Sequence, residues 1–301
     1  MTTAPQVLLL AALAACAGAH DPAGGPAAAD ANLRLRREWG RPVEPFRLVG
    51  NIHYVGASNI ASYLVVSSRG LILLDAGTRE MEPLVRAGVE KLGFRIEDIE
   101  ILLVSHAHWD HVEGLAAMKR LTGARVMAMA AEVPALTSGV DRSALGGPGW
   151  EPVAVDRILR DGDEVVLGEV SLRALWTPGH TQGCTTWITS ARDGGRRYTV
   201  AFVGVPAANA GVPLLRNRRH PTIADDLERS LAALERLDPD TFLTGHPEEL
   251  LAAMRRRREG GISDWLVNRD EYRRYLAEAR ADLEGRLRAE RPARRDRAAP
   301  R

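Results

Sequence analysis

The stretch His106-Ala107-His108-Trp109-Asp110-His111 packs three imidazoles and a carboxylate into six residues of a chain that has only 8 His in 301. A cluster this dense is a metal-binding device, because imidazole nitrogen and carboxylate oxygen are donors that suit zinc. Alternate residues of an extended segment share a face, so His106 and His108 converge on one metal while Asp110 and His111 point elsewhere. That division predicts two metals. The apolar residues 99–104 read as a buried strand, and 112–121 read as a helix that stops at Gly123. The cluster therefore sits on a strand-to-helix loop, where open α/β sheets place their ligand sites.

Two later histidines occupy the same kind of position. His180 follows a strand-like run at 172–177 and the Pro178-Gly179 turn, and His246 closes the run 241–245. Either alone would read as a structural residue, but the cluster demands further ligands and these two are the candidates.

Taken in order and spacing, His106-x-His108-x-Asp110-His111, then Thr177-Pro178-Gly179-His180-Thr181, then Gly245-His246 resemble the metallo-β-lactamase superfamily. The likeness runs from about Trp39 to about His246 and is nearest to the third subclass of class B β-lactamases, which share the Ala between the first two histidines and the Thr-Pro-Gly-His-Thr turn. Residues 45–51 and 56–64 also resemble that subclass. The resemblance implies a single-domain α/β fold, a four-layered αββα sandwich with the metals at one edge. It implies one zinc ion on His106, His108 and His180 and a second on Asp110, His111 and His246, with Asp110 also counted as the catalytic carboxylate. A hydroxide held between the two ions would be the nucleophile, since zinc lowers the pKa of bound water to about 7. Asp75, at the end of the apolar run before Gly77, is implied to hydrogen-bond a ligating histidine and fix its orientation.

Departures from the family matter as much as matches. Thioester hydrolases and many lactonases of the superfamily carry a metal-bridging Asp after a Phe-x-Gly, whereas Phe202-Val203-Gly204 is followed here by Val205. Flavodiiron oxygen reductases carry Glu where His108 stands. The serines that contact the substrate carboxylate in many members of the third subclass are missing from Val205-Pro206-Ala207-Ala208. Asn209 or Arg216 could replace them, because both can donate to a carboxylate and Arg does so bidentately. Arg216, Arg218 and Arg219 also fit a solvated surface ahead of a helix at 222–237, with His220 exposed beside them. Trp39 and Trp109 are candidate apolar walls for a ligand, or plain packing.

The first 19 residues read as an export signal: 7–15 is apolar and too short to span a bilayer. Leu13-Ala14-Ala15-Cys16 resembles a bacterial lipobox, which would place a lipid anchor on Cys16, and cleavage after Ala19 is the soluble alternative. Both predict a periplasmic protein, although no Lys or Arg precedes Arg34. Cys184 then has no partner for an intramolecular disulfide and reads as a small buried residue rather than a thiolate ligand.

Residues 20–38 are predicted to be a linker, 39–290 the hydrolase domain and 291–301 a disordered basic tail, with 264–288 helical. The 40 basic and 39 acidic residues leave a net charge of +1, which proposes no nucleic-acid or polyanionic partner; the resemblance implies a small-molecule substrate. Three functions follow: a β-lactamase conferring resistance to penicillins, cephalosporins and carbapenems; a zinc hydrolase of the same fold acting on another ester, lactone or amide; and an exported zinc-binding lipoprotein without turnover.

Overall fold

A computed structural model of the chain describes residues 26–247, 251, 266–267 and 269–291. The predicted export signal, Cys16 and the residues beyond Arg291 lie outside the described residues. Among the described residues, no helix is long and apolar enough to cross a membrane.

Two sheets carry the fold. The first has seven strands in the order β1 (Phe46–Val49), β2 (Ile52–Tyr54), β3 (Tyr63–Ser67), β4 (Gly70–Leu74), β5 (Ile99–Leu103), β6 (Arg125–Met129) and β7 (Arg157–Leu159). It is antiparallel as far as β4 and parallel from β4 to β7. The second runs β12 (Thr241–Thr244), β11 (Arg196–Val203), β10 (Thr185–Asp193), β9 (Val170–Trp176), β8 (Glu164–Leu167), with β11 and β12 parallel. The central strand β5 is apolar at nearly every position because helices cover one of its faces and the second sheet covers the other.

Three apolar clusters define four layers. Ile72, Ile101 and Leu103 of the first sheet meet Leu172, Trp187, Val200 and Phe202 of the second. On the outer face of the first sheet, Leu73, Leu102 and Val126 pack on Val85, Leu115 and Met118, which come from α2 (Glu82–Lys91) and α4 (Leu115–Thr122). On the outer face of the second, Ala201 and Val203 pack on Leu227, Leu231, Leu276 and Leu283, from α6 (Ile223–Leu234) and α7 (Arg269–Glu290). This is the αββα sandwich that the resemblance implies.

Three stretches differ from their sequence reading. The helix predicted at 112–121 is two helices, α3 (Trp109–Val112) and α4, broken at Gly114. The break is required because the His111 carbonyl accepts the amides of Ala76 and Gly77, at 3.0 and 3.1 Å. A Cβ at Gly114 would also lie 2.6 Å from the Ala76 carbonyl oxygen. Within the predicted linker, Pro26–Trp39 forms a helix, α1, whose Arg36 donates to the buried Glu113 carboxylate. The helix predicted at 222–237 is α6, ending at Leu234.

The two sheets are tied together next to the histidine cluster. Thr185 N donates to the Ser105 carbonyl at 2.8 Å, and the indole Nε1 of fully buried Trp187 donates to the Val104 carbonyl at 3.1 Å. Replacing Trp187 with Phe orphans that carbonyl and leaves a void, so unfolding free energy should fall by about 2 to 4 kcal/mol in denaturant titration of the metal-free protein.

Candidate metal centre

The loop after β5 starts at Val104, and its ligands end at the first turn of α3. His108 is extended (φ −110°, ψ 153°), while Asp110 and His111 lie inside the helical turn, so the two pairs face different partners. His180 comes from the loop after β9 and His246 from the loop after β12. The result is two groups, His106 with His108 and His180, and Asp110 with His111 and His246, each with its donor atoms within 4.8 Å of one another. All six residues predicted as ligands are therefore brought together, divided as the resemblance implies.

Four of the five rings are held from behind. Asp75 Oδ2 lies 3.1 Å from His111 Nδ1, and the same carboxylate accepts from Ser105 N (2.7 Å) and Ser105 Oγ (2.5 Å). Ser105 Oγ in turn stands 3.0 Å from His106 Nδ1. With its hydroxyl proton committed to Asp75, the Ser105 oxygen accepts from His106 Nδ1–H. His180 Nδ1 donates to the Ala207 carbonyl and His246 Nδ1 to the Asn59 carbonyl, both at 2.8 Å. These bonds fix the tautomers so that each Nε2 presents a lone pair.

The chemistry of the donor set fits two divalent ions. The Nε2 atoms of His106 and His111 are buried without a hydrogen-bond partner, which is costly unless something binds there. In the metal-free chain, burial and the neighbouring imidazoles of His111, His180 and His108 hold His106 well below the usual imidazole range. Burial and His108 do the same to His180. His111 moves the other way, for although burial lowers it, the Asp110 charge and the Asp75 hydrogen bond raise it above its ordinary value. Burial would raise Asp110, but His111, His246 and His108 outweigh it and keep the carboxyl ionised.

Asp75 adopts a left-handed backbone, φ 59°, a conformation a non-glycine residue holds only when its surroundings insist. Gly245 is needed for a different reason: a Cβ there would lie 2.7 Å from His111 Cε1.

Trp39 lies against the site, edge-on to His246 at 5.3 Å between ring centroids and stacked on Trp109 at 6.2 Å. Asn209 is buried, and its side-chain Nδ2 lacks a partner. Arg216 is exposed and lines a cavity with Gly211, Leu215, Arg286 and Glu290 that contains none of the six ligands. His220, predicted exposed, is buried instead, because Asp226 Oδ2 accepts from its Nε2 at 2.7 Å. Cys184 is fully buried, and burial together with the Glu132 charge pushes its thiol up, so it is no thiolate ligand. Ser105 and Glu132 escape sequence reasoning. Glu132 is a buried carboxyl raised by burial to about 7, against the hydrogen bonds from Thr181 and the backbone at Ala107 and Gly183.

The model of the metallo-beta-lactamase superfamily matches residues 55–246, which carry all six ligands. The chain belongs to this superfamily. The subclass B3 metallo-β-lactamase BJP-1 of Bradyrhizobium japonicum superposes with a TM-score of 0.79 at 32% identity, over 84% of this chain and 97% of that one. The FEZ-1 metallo-β-lactamase of Legionella gormanii gives 0.79 at 34%, over 83% and 97%. A hydroxyacylglutathione hydrolase of Methylobacterium nodulans is 34% identical over 121 residues, 40% of this chain and 37% of its own length. The chain thus spans little more than a third of that relative.

Two outcomes follow. Protons compete with metal for histidine, and His111 keeps its proton to a higher pH than His106 or His180, so acidification should release the ion on Asp110, His111 and His246 first. Zinc retention measured by dialysis across pH 4 to 8 checks this, and simultaneous release would count against it. Asp110→Ala removes a ligand whereas Asp75→Ala removes only a support, so zinc binding should fall further in the first; Asp75→Ala should cost roughly 10- to 100-fold in affinity.

Proposed function

We propose that this chain is a periplasmic β-lactamase that hydrolyses the lactam amide with two zinc ions. The observation that carries the reading is the paired ligand groups, which share no residue, at the edge of a fold whose subclass B3 neighbours are covered almost end to end. His106, His108 and His180 would hold one ion, and Asp110, His111 and His246 the other. When bound, such ions lower the pKa of water and polarise the carbonyl under attack.

The protein's own part is orientation and exclusion of water. The Nδ1 bonds to Ser105, Asp75, Ala207 and Asn59 hold the rings against rotation, and Trp39 and Trp109 close one side. Asp110 stays ionised, with Oδ2 3.5 Å from the Nε2 atoms of both His111 and His246, so it offers an acceptor for a water proton there. The substrate carboxylate needs a donor, and with the family's serines absent the unpartnered Nδ2 of Asn209 is our candidate. Its loop also carries the Ala207 carbonyl that accepts from His180.

The second reading, a thioester hydrolase, is favoured by the match to a hydroxyacylglutathione hydrolase. Against it stands Val205 where such enzymes carry a bridging carboxylate. Export would place the enzyme in the periplasm, soluble or lipid-anchored through Cys16.

Purified mature protein should hydrolyse a penicillin, a cephalosporin and a carbapenem, lose that activity to a chelator and regain it with zinc. A glutathione thioester turned over with the higher kcat/KM would overturn the assignment. Asn209→Ala should cost at least about tenfold in kcat/KM for a carbapenem, mainly through KM, as expected for one hydrogen bond to a charged group. Arg216→Ala should change it less than about threefold, since an exposed charge contributes little.

A further inference from the structure

The first metal group is assembled from two loops on different sheets, and one buried side chain touches both. Glu132 ends a 3-10 turn after β6, and α5 (Val133–Ser138) follows it. The residue is 3% exposed. Its Oε1 accepts from the Thr181 hydroxyl, the residue next to His180. It also accepts from the backbone at Ala107, between His106 and His108, and at Gly183. The packing leaves no slack: a Cβ on Gly183 would sit 2.6 Å from Glu132 Cγ and 2.7 Å from Glu132 N. No ligand of the second group is among these contacts, and the support for His111 comes from Asp75 instead.

We propose that Glu132 is the positioning residue of the first metal group, a hydrogen-bonded brace that sets the distance between the His106-Ala107-His108 loop and the His180-Thr181 loop. A carboxyl group that spans two loops fixes their separation in a way that apolar packing does not, because each hydrogen bond has a preferred length and direction. Glu132 is not among the six donors, so the brace acts through the loops that carry them. Its effect is confined to the geometry of three imidazoles, so it predicts a loss in one metal group and not in the other. Gln at the same place keeps the span: its oxygen accepts from the backbone amides, and its amide donates to the Thr181 oxygen.

The proposal rests on the two-ion reading, and the test keeps the two apart. Zinc affinity is measured on the full mature chain by competition with a chromophoric chelator in two backgrounds: Asp110→Ala, which leaves the first group whole, and His108→Ala, which leaves the second. In the first background, Glu132→Ala should weaken zinc by roughly 10- to 100-fold, the usual range for groups that orient ligands. Glu132→Gln there should stay within about threefold of its parent. In the second background neither change should matter. Equal losses in both backgrounds, no loss in either, or a Gln variant as weak as Ala would overturn the proposal. Should Glu132→Ala fail to fold, Thr181→Val in the same backgrounds removes one arm of the brace, and an unchanged first group would likewise overturn it. Absence of zinc binding in the unaltered chain would instead defeat the two-ion reading itself.

Discussion

Buried imidazoles repel one another once protonated and turn in place unless tied, and this structure gathers four of them with the half-buried His246 in one pocket. Ring centroids of His106 lie 4.1 to 4.9 Å from those of His111, His180 and His108. The arrangement holds because the Nδ1 atoms of four rings are bonded to acceptors that belong to the fold: the Ser105 hydroxyl, the Asp75 carboxylate and the carbonyls of Ala207 and Asn59. Those acceptors come from both sheets. Much of the architecture near the site serves to bring them to one edge.

The sheet junction illustrates the dependence. Ser105 lies just past β5, where its carbonyl takes the Thr185 amide from the other sheet, its amide and hydroxyl donate to Asp75, and its hydroxyl oxygen faces His106. A shift of one sheet over the other would therefore displace a ligand directly. Arg36, Glu113 and Arg79 act similarly from the side. Burial alone would raise the Glu113 carboxyl, but the two guanidinium groups hold it below its ordinary value. Arg36 also lies 4.6 Å over the Trp109 ring, which docks α1 and brings Trp39 against His246. Removing either arginine leaves a buried charge short of a partner, an effect far larger than the loss of an exposed ion pair.

The ligands were legible in the sequence because metal donors must be particular residue types at short spacing, and apolar strands before His106, His180 and His246 announce the loops that carry them. The αββα layering was legible only through resemblance, since strand order depends on long-range pairing. Glu132 and Ser105 were not legible. A lone Glu after Ala130-Ala131 and a lone Ser before a histidine have no local signature, and their roles exist only once β5, β6 and the Thr181 turn meet. His220 was misread because the surrounding arginines suggested a solvated run, whereas the Asn217 side chain folds the segment by accepting the Arg219 and His220 amides, turning the imidazole inward to Asp226. The helix at Pro26–Trp39 was hidden by the Pro- and Gly-rich sequence before it, although its alanines and arginines are good helix formers.

The central claim is that six side chains form two separate metal groups held by the fold. Equilibrium dialysis of the purified protein against zinc, followed by metal analysis, tests it most directly. Two ions per chain are predicted for the unaltered protein, with one remaining in His108→Ala and one in Asp110→Ala. A single ion at saturating zinc in the unaltered chain, or loss of both ions from either variant, would contradict the account.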